Sequence, residues 1–187
     1  LSPEFNRRED RYGGSLENRA RLIRDVIAEV RKRCRPDFQL GLRLSGERMG
    51  MRLGEVRTLA GELMAEGELD YIDMSLWDVF KEPEEAEFKG RPLLEWFTDL
   101  DRHGTRLGVA GNIRSGATAR ACLEAGADYV LIGRAAIVNH DFPRRVAQEA
   151  DFTMPPLPVT REHLAREGVS PAFVGYLSNF PGFVEPA

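Results

Sequence analysis

Short apolar runs alternate along this chain with longer stretches whose apolar residues recur every three or four positions. Residues 1–14 are polar and turn-rich. Ser15 then caps a helix whose Leu22, Ile23, Val26, Ile27 and Val30 share one face, while Glu17, Arg21, Arg24 and Glu29 take the others; Pro36 ends it. Residues 38–44 (FQLGLRL) read as a strand, and after a polar loop Val56, Leu59, Ala60, Leu63 and Met64 mark a second helix. Residues 69–74 (LDYIDM) give the next strand. A long loop, 75–91, follows, with an acidic run at 82–87 and with Trp77 and Phe80. Pro92 suits the first position of a third helix carrying Leu93, Leu94, Trp96, Phe97 and Leu100. Two more strands, 107–110 and 129–132, flank a small-residue helix over 116–125 that Ser115 caps and Gly126 closes. A further helix is expected over 141–149. Pro155, Pro156 and Pro158 mark a linker, and Thr160 and Ser170-Pro171 open two short helical pieces.

The pattern is a helix followed by four strand–helix units. None of the strands alternates strictly, which fits parallel strands buried on both faces. Four such units form half of a (βα)₈ barrel; an open doubly wound sheet has the same alternation. The position of the glycine-bearing loops separates the two. They follow the last two strands, where a barrel holds phosphate after strands seven and eight, whereas a doubly wound fold more often places such a loop after its first strand. The fold expected is therefore α/β, the C-terminal half of a TIM barrel: strands 5–8 with the preceding helix 4 over residues 1–150, then a proline-rich linker and helical tail over 151–187. A half-barrel has two open edges, so homo-oligomerisation or pairing with a missing N-terminal half is expected to complete it.

The two loops carry the candidate chemistry. Gly111 and Asn112 follow one strand, Gly133 and Arg134 the other, and a right-handed crossover brings both loops to one end of the sheet. Glycine allows close backbone approach, a helix N-terminus attracts anions, and Arg134 can fork onto a phosphate. Any βα unit also needs glycine to turn, so the loops alone leave phosphate binding and simple turning both open. Arg114, beyond the turn, is a weaker candidate.

Composition narrows the class. With 187 residues, 42% hydrophobic and 30% charged, the chain is long enough for an ordinary soluble domain. A net charge of -4 argues against a nucleic-acid surface. No apolar run approaches the roughly 20 residues needed to cross a bilayer, and no basic-then-apolar leader is present, so a cytoplasmic protein is expected. Cys34 and Cys122 lie far apart and outside any metal-ligand spacing, as reduced packing thiols do. The opening Leu-Ser-Pro, without an initiator methionine, reads as the later part of something longer.

The segments LSPEFNRREDRYGGSLENRARL, GLRLS, YIDMSLWDVFKEP, GVAGNIRSG, ADYVLIGRAAI and GVSPAFVGYLSNF together resemble the C-terminal half of the Old Yellow Enzyme family, the FMN-dependent NAD(P)H:flavin oxidoreductases and ene-reductases. The resemblance spreads over nearly the whole chain in family order. It implies a (βα)₈ barrel with FMN at the C-terminal strand ends, Arg43 near the flavin N1–C2=O edge, and Gly111, Asn112, Gly133 and Arg134 around its phosphate. It further implies NADH or NADPH as reductant and hydride transfer through FMN to a small activated alkene or similar electrophile. In the family, the substrate-holding His/Asn or His/His pair and the tyrosine proton donor lie upstream of the LSP segment. No catalytic residue is therefore expected in this chain, and alone it is expected to be inactive. A non-catalytic half-barrel that self-assembles and binds FMN weakly or not at all is the alternative; an unrelated phosphate-binding barrel is a third, which YGGSLENR and GLRLS oppose.

Other polar residues have plainer readings. His140-Asp141 looks like a surface histidine beside a helix-capping aspartate, and His103 and His163 are expected to face solvent. Asp73 and Asp78 bracket Ser75 and Trp77 near a substrate face, where loop hydrogen bonding is the competing role. Glu17 and Arg19 suggest a structural ion-pair and capping network. Phe173, Tyr176, Phe180 and Phe183 suggest an aromatic face covering the barrel or a partner subunit.

Overall fold

Helix starts follow the capping residues closely in the computed structural model, which describes residues 1–186. Ser15, Thr160 and Ser170 each accept a hydrogen bond from the N–H three residues on, opening α1 (Leu16–Arg33), α7 (Arg161–Arg166) and α8 (Pro171–Leu177). Ser115 does the same for α4 (Gly116–Glu124) through Thr118 N at 3.1 Å. Between these lie β1 (Gly41–Ser45), α2 (Leu53–Glu66), β2 (Tyr71–Ser75), α3 (Glu95–Thr98), β3 (Arg106–Ala110), β4 (Tyr129–Leu131), α5 (Arg134–Val138) and α6 (Phe142–Gln148).

The four strands form one sheet in the order β1-β2-β3-β4, with helices alternating between them. β1 pairs in parallel with β2, and β2 with β3, so Arg43 stands opposite Asp73 and Asp73 opposite Gly108. Successive side chains point to opposite faces. Leu44, Ile72, Met74, Leu107 and Val109 are all buried, as are Leu59 and Leu63 of α2 and Phe97 of α3. The other face carries Arg43, Ser45, Asp73, Ser75 and Arg106, and none of these is buried. The expectation of strands apolar on both faces is thus corrected: burial in β2 alternates strictly, and one face of the sheet is polar.

Two compact units divide the chain. The first comprises Leu1–Gly111 with Cys122–Val130, and the second Asn112–Ala121 with the residues from Leu131 onward. The second has its own core, in which Ala135, Val138, Phe142, Leu164, Val174 and Leu177 are buried together.

Several elements differ from the periodicity. Leu22 and Val26 of α1 are 62% and 53% exposed, while Ala20 and Ile27 are buried. β1 is one of the two edge strands, so the sheet offers α1 nothing further to cover on that side. The strands begin at Gly41 and Tyr71, later than the apolar runs suggest, and Phe38 remains exposed. The third helix is only four residues long, because the backbone from Pro92 turns through i to i+3 hydrogen bonds, Glu95 N to Pro92 O and Phe97 N to Leu94 O. α5 appears where a loop was expected, with Ala135 and Val138 supplying its buried side.

The polar first segment is tied to α1 by Arg21, which donates to the Arg11 carbonyl, by Tyr12, whose phenol donates to Asp25, and above all by the buried Arg19. Arg19, 7% exposed, donates to the carbonyls of Leu1 and Gly14 and pairs with Glu55 of α2. Glu17 pairs with Arg21 instead, so Glu17 is not a partner of Arg19 in the expected network. Arg19→Ala should therefore lower stability by about 2–3 kcal/mol, since it strands a carboxylate and two carbonyls. Urea unfolding reads this directly, and a midpoint equal to the parent's would contradict it. Both cysteines are free, Cys34 half-buried and Cys122 fully buried. Burial pushes the Cys122 thiol up to about 11. At pH 8 a thiol reagent should label Cys34 in the folded chain and reach Cys122 only after unfolding; equal rates would contradict its burial.

Candidate functional site

At the C-terminal ends of β1, β2 and β3 a cavity of about 450 Å³ opens among Arg43, Ser45, Met49, Ser75, Trp77 and Gly111, all within the first unit. Its walls are loops joined to one another. Leu76 N–H donates to Ala110 O at 2.7 Å and Val79 N–H to Gly111 O at 3.3 Å, tying the loop after β2 to the end of β3. Glu47, only 3% exposed, meets the Lys81 ammonium and accepts from Glu84 N–H at 2.9 Å, tying the loop after β1 to the same segment. At the rim the Arg48 guanidinium lies 4.8 Å from the centre of the Trp77 ring.

The backbone in this rim is unusual. Arg48, Met49 and Trp77 all have positive φ (73°, 53° and 64°), a conformation side chains rarely adopt and one that clusters at functional sites. Gly111, at φ 153°, passes so close to the neighbouring loop that a Cβ would sit 2.9 Å from the backbone of Trp77 and Asp78. Only glycine fits there.

Arg43 is exposed on the polar face, and its Nε donates to Ser75 Oγ at 2.5 Å. Among the described residues it has no carboxylate partner, although Asp73 stands opposite it on β2. Asp73 instead accepts a hydrogen bond from the phenol of Tyr129. Burial, reinforced by that carboxylate, pushes the Tyr129 phenol far above its ordinary value, so it is a fixed donor at neutral pH.

Of the residues singled out from the sequence, Arg43 and Gly111 line this cavity. Asn112, Gly133 and Arg134 belong to the second unit. There Asn112 is exposed with φ 53°, and Arg134 is the exposed first residue of α5. Gly133 precedes that helix with no side-chain cap and with open space where a Cβ would stand. Among the described residues neither Arg43 in the first unit nor Arg134 in the second has a carboxylate partner, and no side chain stands over the Gly133 backbone; taken singly, these are groups whose chemistry suits a flavin mononucleotide's anionic atoms.

The histidines fall outside this cavity. His140 Nδ1 lies 2.8 Å from Glu167, and Asp141 pairs with Arg145 rather than capping α6. His163 does not face solvent as expected: its Nε2 lies 2.7 Å from the Val138 carbonyl, an acceptor only, so that nitrogen carries the proton. Of the tail aromatics Phe183 is buried, while Phe173 stacks on Tyr176 and Phe180 meets Tyr176 edge-on, all three exposed. Sequence reasoning passed over Tyr129 and Gly108, reading both as strand filler. The available signal was the glycine inside a strand, which marks a close approach.

A parallel sheet with helices between its strands and a polar cavity at the C-terminal strand ends defines a piece of a (βα)₈ barrel enzyme architecture. The chain belongs to the NADH:flavin oxidoreductase / NADH oxidase family, whose model matches residues 1–152. An NADPH dehydrogenase of Halalkalibacterium halodurans is 35% identical over 162 residues, covering 82% of this chain and 46% of that protein. Among solved structures, morphinone reductase in complex with tetrahydroNAD superposes with a TM-score of 0.65 at 30% identity, covering all of this chain and 46% of the other. An Old Yellow Enzyme homologue from Zymomonas mobilis gives 0.62 at 27% identity, covering 88% and 45%. The chain thus spans under half the length of these relatives and corresponds to a partial barrel. Among the described residues no helix is long and apolar enough to cross a membrane.

The tight passage at Gly111 is testable. Gly111→Ala should cost about 1–3 kcal/mol through strain against the Trp77–Asp78 backbone. Equilibrium denaturation measures this, and parent-like stability would contradict the close approach.

Proposed function

We infer that the chain supplies the phosphate side and the N1 edge of an FMN site in an NAD(P)H-dependent oxidoreductase. The observation that carries this reading is Arg43, an exposed guanidinium that has no carboxylate partner among the described residues, in a cavity at the strand ends. FMN, when bound, supplies a two-electron carrier that takes hydride from a nicotinamide and gives it to an electron-poor small molecule. Arg43, steadied by Ser75, would stabilise negative charge at the flavin N1–C2=O edge. The backbone at Gly111, Asn112 and Gly133 and the Arg134 fork would hold the phosphate dianion. No residue of this chain is assigned the proton donation or the grip on the substrate. Those roles, and the whole activity, belong to a complete barrel, in the cytoplasm on this reading.

A second reading is favoured by the exposed edge strand β1 and by coverage of under half of each relative. On it, the chain is a half-barrel that retains flavin only after self-association or pairing with a complementary half. A titration with FMN, followed by quenching of flavin fluorescence while the mass in solution is recorded, tests both. Saturable quenching is expected, and Arg134→Ala should weaken it by about 1.5–3 kcal/mol for a lost charge-assisted bond. An Arg134→Ala variant with parent affinity would overturn the phosphate assignment, and no quenching at any mass would overturn the flavin site in this chain.

A further inference from the structure

We propose that Tyr129 is a positioning residue: by holding the Asp73 carboxylate, it keeps Arg43 free of a counter-ion and available to a ligand. The proposal rests on the reading of Arg43 as the group that meets the ligand, and it assigns a role to three residues that reading does not use. Arg43 and Asp73 are register partners on adjacent parallel strands, so both side chains leave the same face of the sheet. Neighbouring strands lie about 4.8 Å apart, a spacing at which opposite charges pair readily. In this chain they do not pair. Arg43 turns toward Ser75, two residues further along β2, and Asp73 turns the other way, toward Tyr129 on β4.

Tyr129 must cross β3 to make that bond, and the residue in its path is Gly108. A Cβ at Gly108 would stand 2.4 Å from the Tyr129 ring and 2.7 Å from Asp73 Oδ1. The missing side chain is therefore what allows β4 to reach β2. A second tyrosine steadies the first: Tyr71 meets the Tyr129 ring edge-on with centroids 6.2 Å apart, and itself lies over Gly41, where a Cβ would be 2.1 Å away. Two glycines and two tyrosines thus form a layer beneath Arg43. A phenol is a suitable partner for this task, because it satisfies the carboxylate with a charge-assisted hydrogen bond without bringing a positive charge of its own. Arg106 is the other cation on this face, exposed and without a carboxylate partner among the described residues. It is the competing destination for a released Asp73.

The availability of each guanidinium can be read without any cofactor. Phenylglyoxal modifies accessible arginines, and peptide mass spectrometry of the full chain gives separate rates for Arg43 and Arg106. Tyr129→Phe should slow Arg43 about threefold, as the released Asp73 forms a partly exposed ion pair with it. The double variant Tyr129→Phe/Asp73→Asn should return Arg43 to the parent rate, and Asp73→Asn alone should leave it unchanged. An unchanged Arg43 rate in Tyr129→Phe, slowing of Arg106 in its place, or a double variant that stays slow would each overturn the proposal. Should Tyr129→Phe fail to fold by circular dichroism, Asp73→Asn decides, because a faster Arg43 there would mean that Asp73 already neutralises it. Protection of Arg43 in the parent by FMN tests the cofactor reading separately. No protection with the variant pattern intact would remove the flavin and leave the positioning role standing.

Discussion

A parallel sheet must bury its apolar side beneath helices, and here that requirement leaves the opposite side free to be polar. Leu44, Ile72, Met74, Leu107 and Val109 meet it in the first unit, and each strand's intervening residues then face away from the helices. Arg43, Asp73, Ser75 and Arg106 stand on that second side as a direct consequence of the pleat. The cavity at the strand ends, the exposed Arg43 guanidinium and the tyrosine layer beneath it all follow from this division. A slip of one residue in register would send the arginine into the helices and a leucine into the cavity.

The loops convert that face into a site. Glu47 with Lys81 joins the first two loops, and the hydrogen bonds from Leu76 and Val79 join the second loop to the third. Arg48, Met49 and Trp77 hold left-handed backbone only because these ties determine their positions. Ties of this kind link the three loops to one another without a ligand, and pre-organisation is what electrostatic stabilisation of developing charge needs.

Much of this was legible in the residues. The caps Ser15, Ser115, Thr160 and Ser170 announced their helices, and the heptad-like spacing in α2 gave its buried side correctly. The motifs around Arg43 and the two glycine loops pointed to the family that the comparisons establish. What escaped was contact made across strands. Nothing local in ADYVL shows that Tyr129 reaches Asp73, because that bond depends on a glycine twenty-one residues earlier and on strand order. The exposure of Leu22 and Val26 also depends on β1 lying at an edge, which periodicity does not encode. α5 escaped because its five residues are too few to show a helical period.

The central claim is that the polar strand-end face around Arg43 is a flavin-binding surface. Amide and arginine side-chain ¹H–¹⁵N NMR spectra of the chain, recorded with and without FMN, test it most directly. Shifts concentrated at Arg43, Ser75, Gly111, Asn112 and Arg134 are the predicted result. Shifts confined to the groove between α7 and α8, around Arg161 and Val174, would show that flavin binds elsewhere and contradict the account.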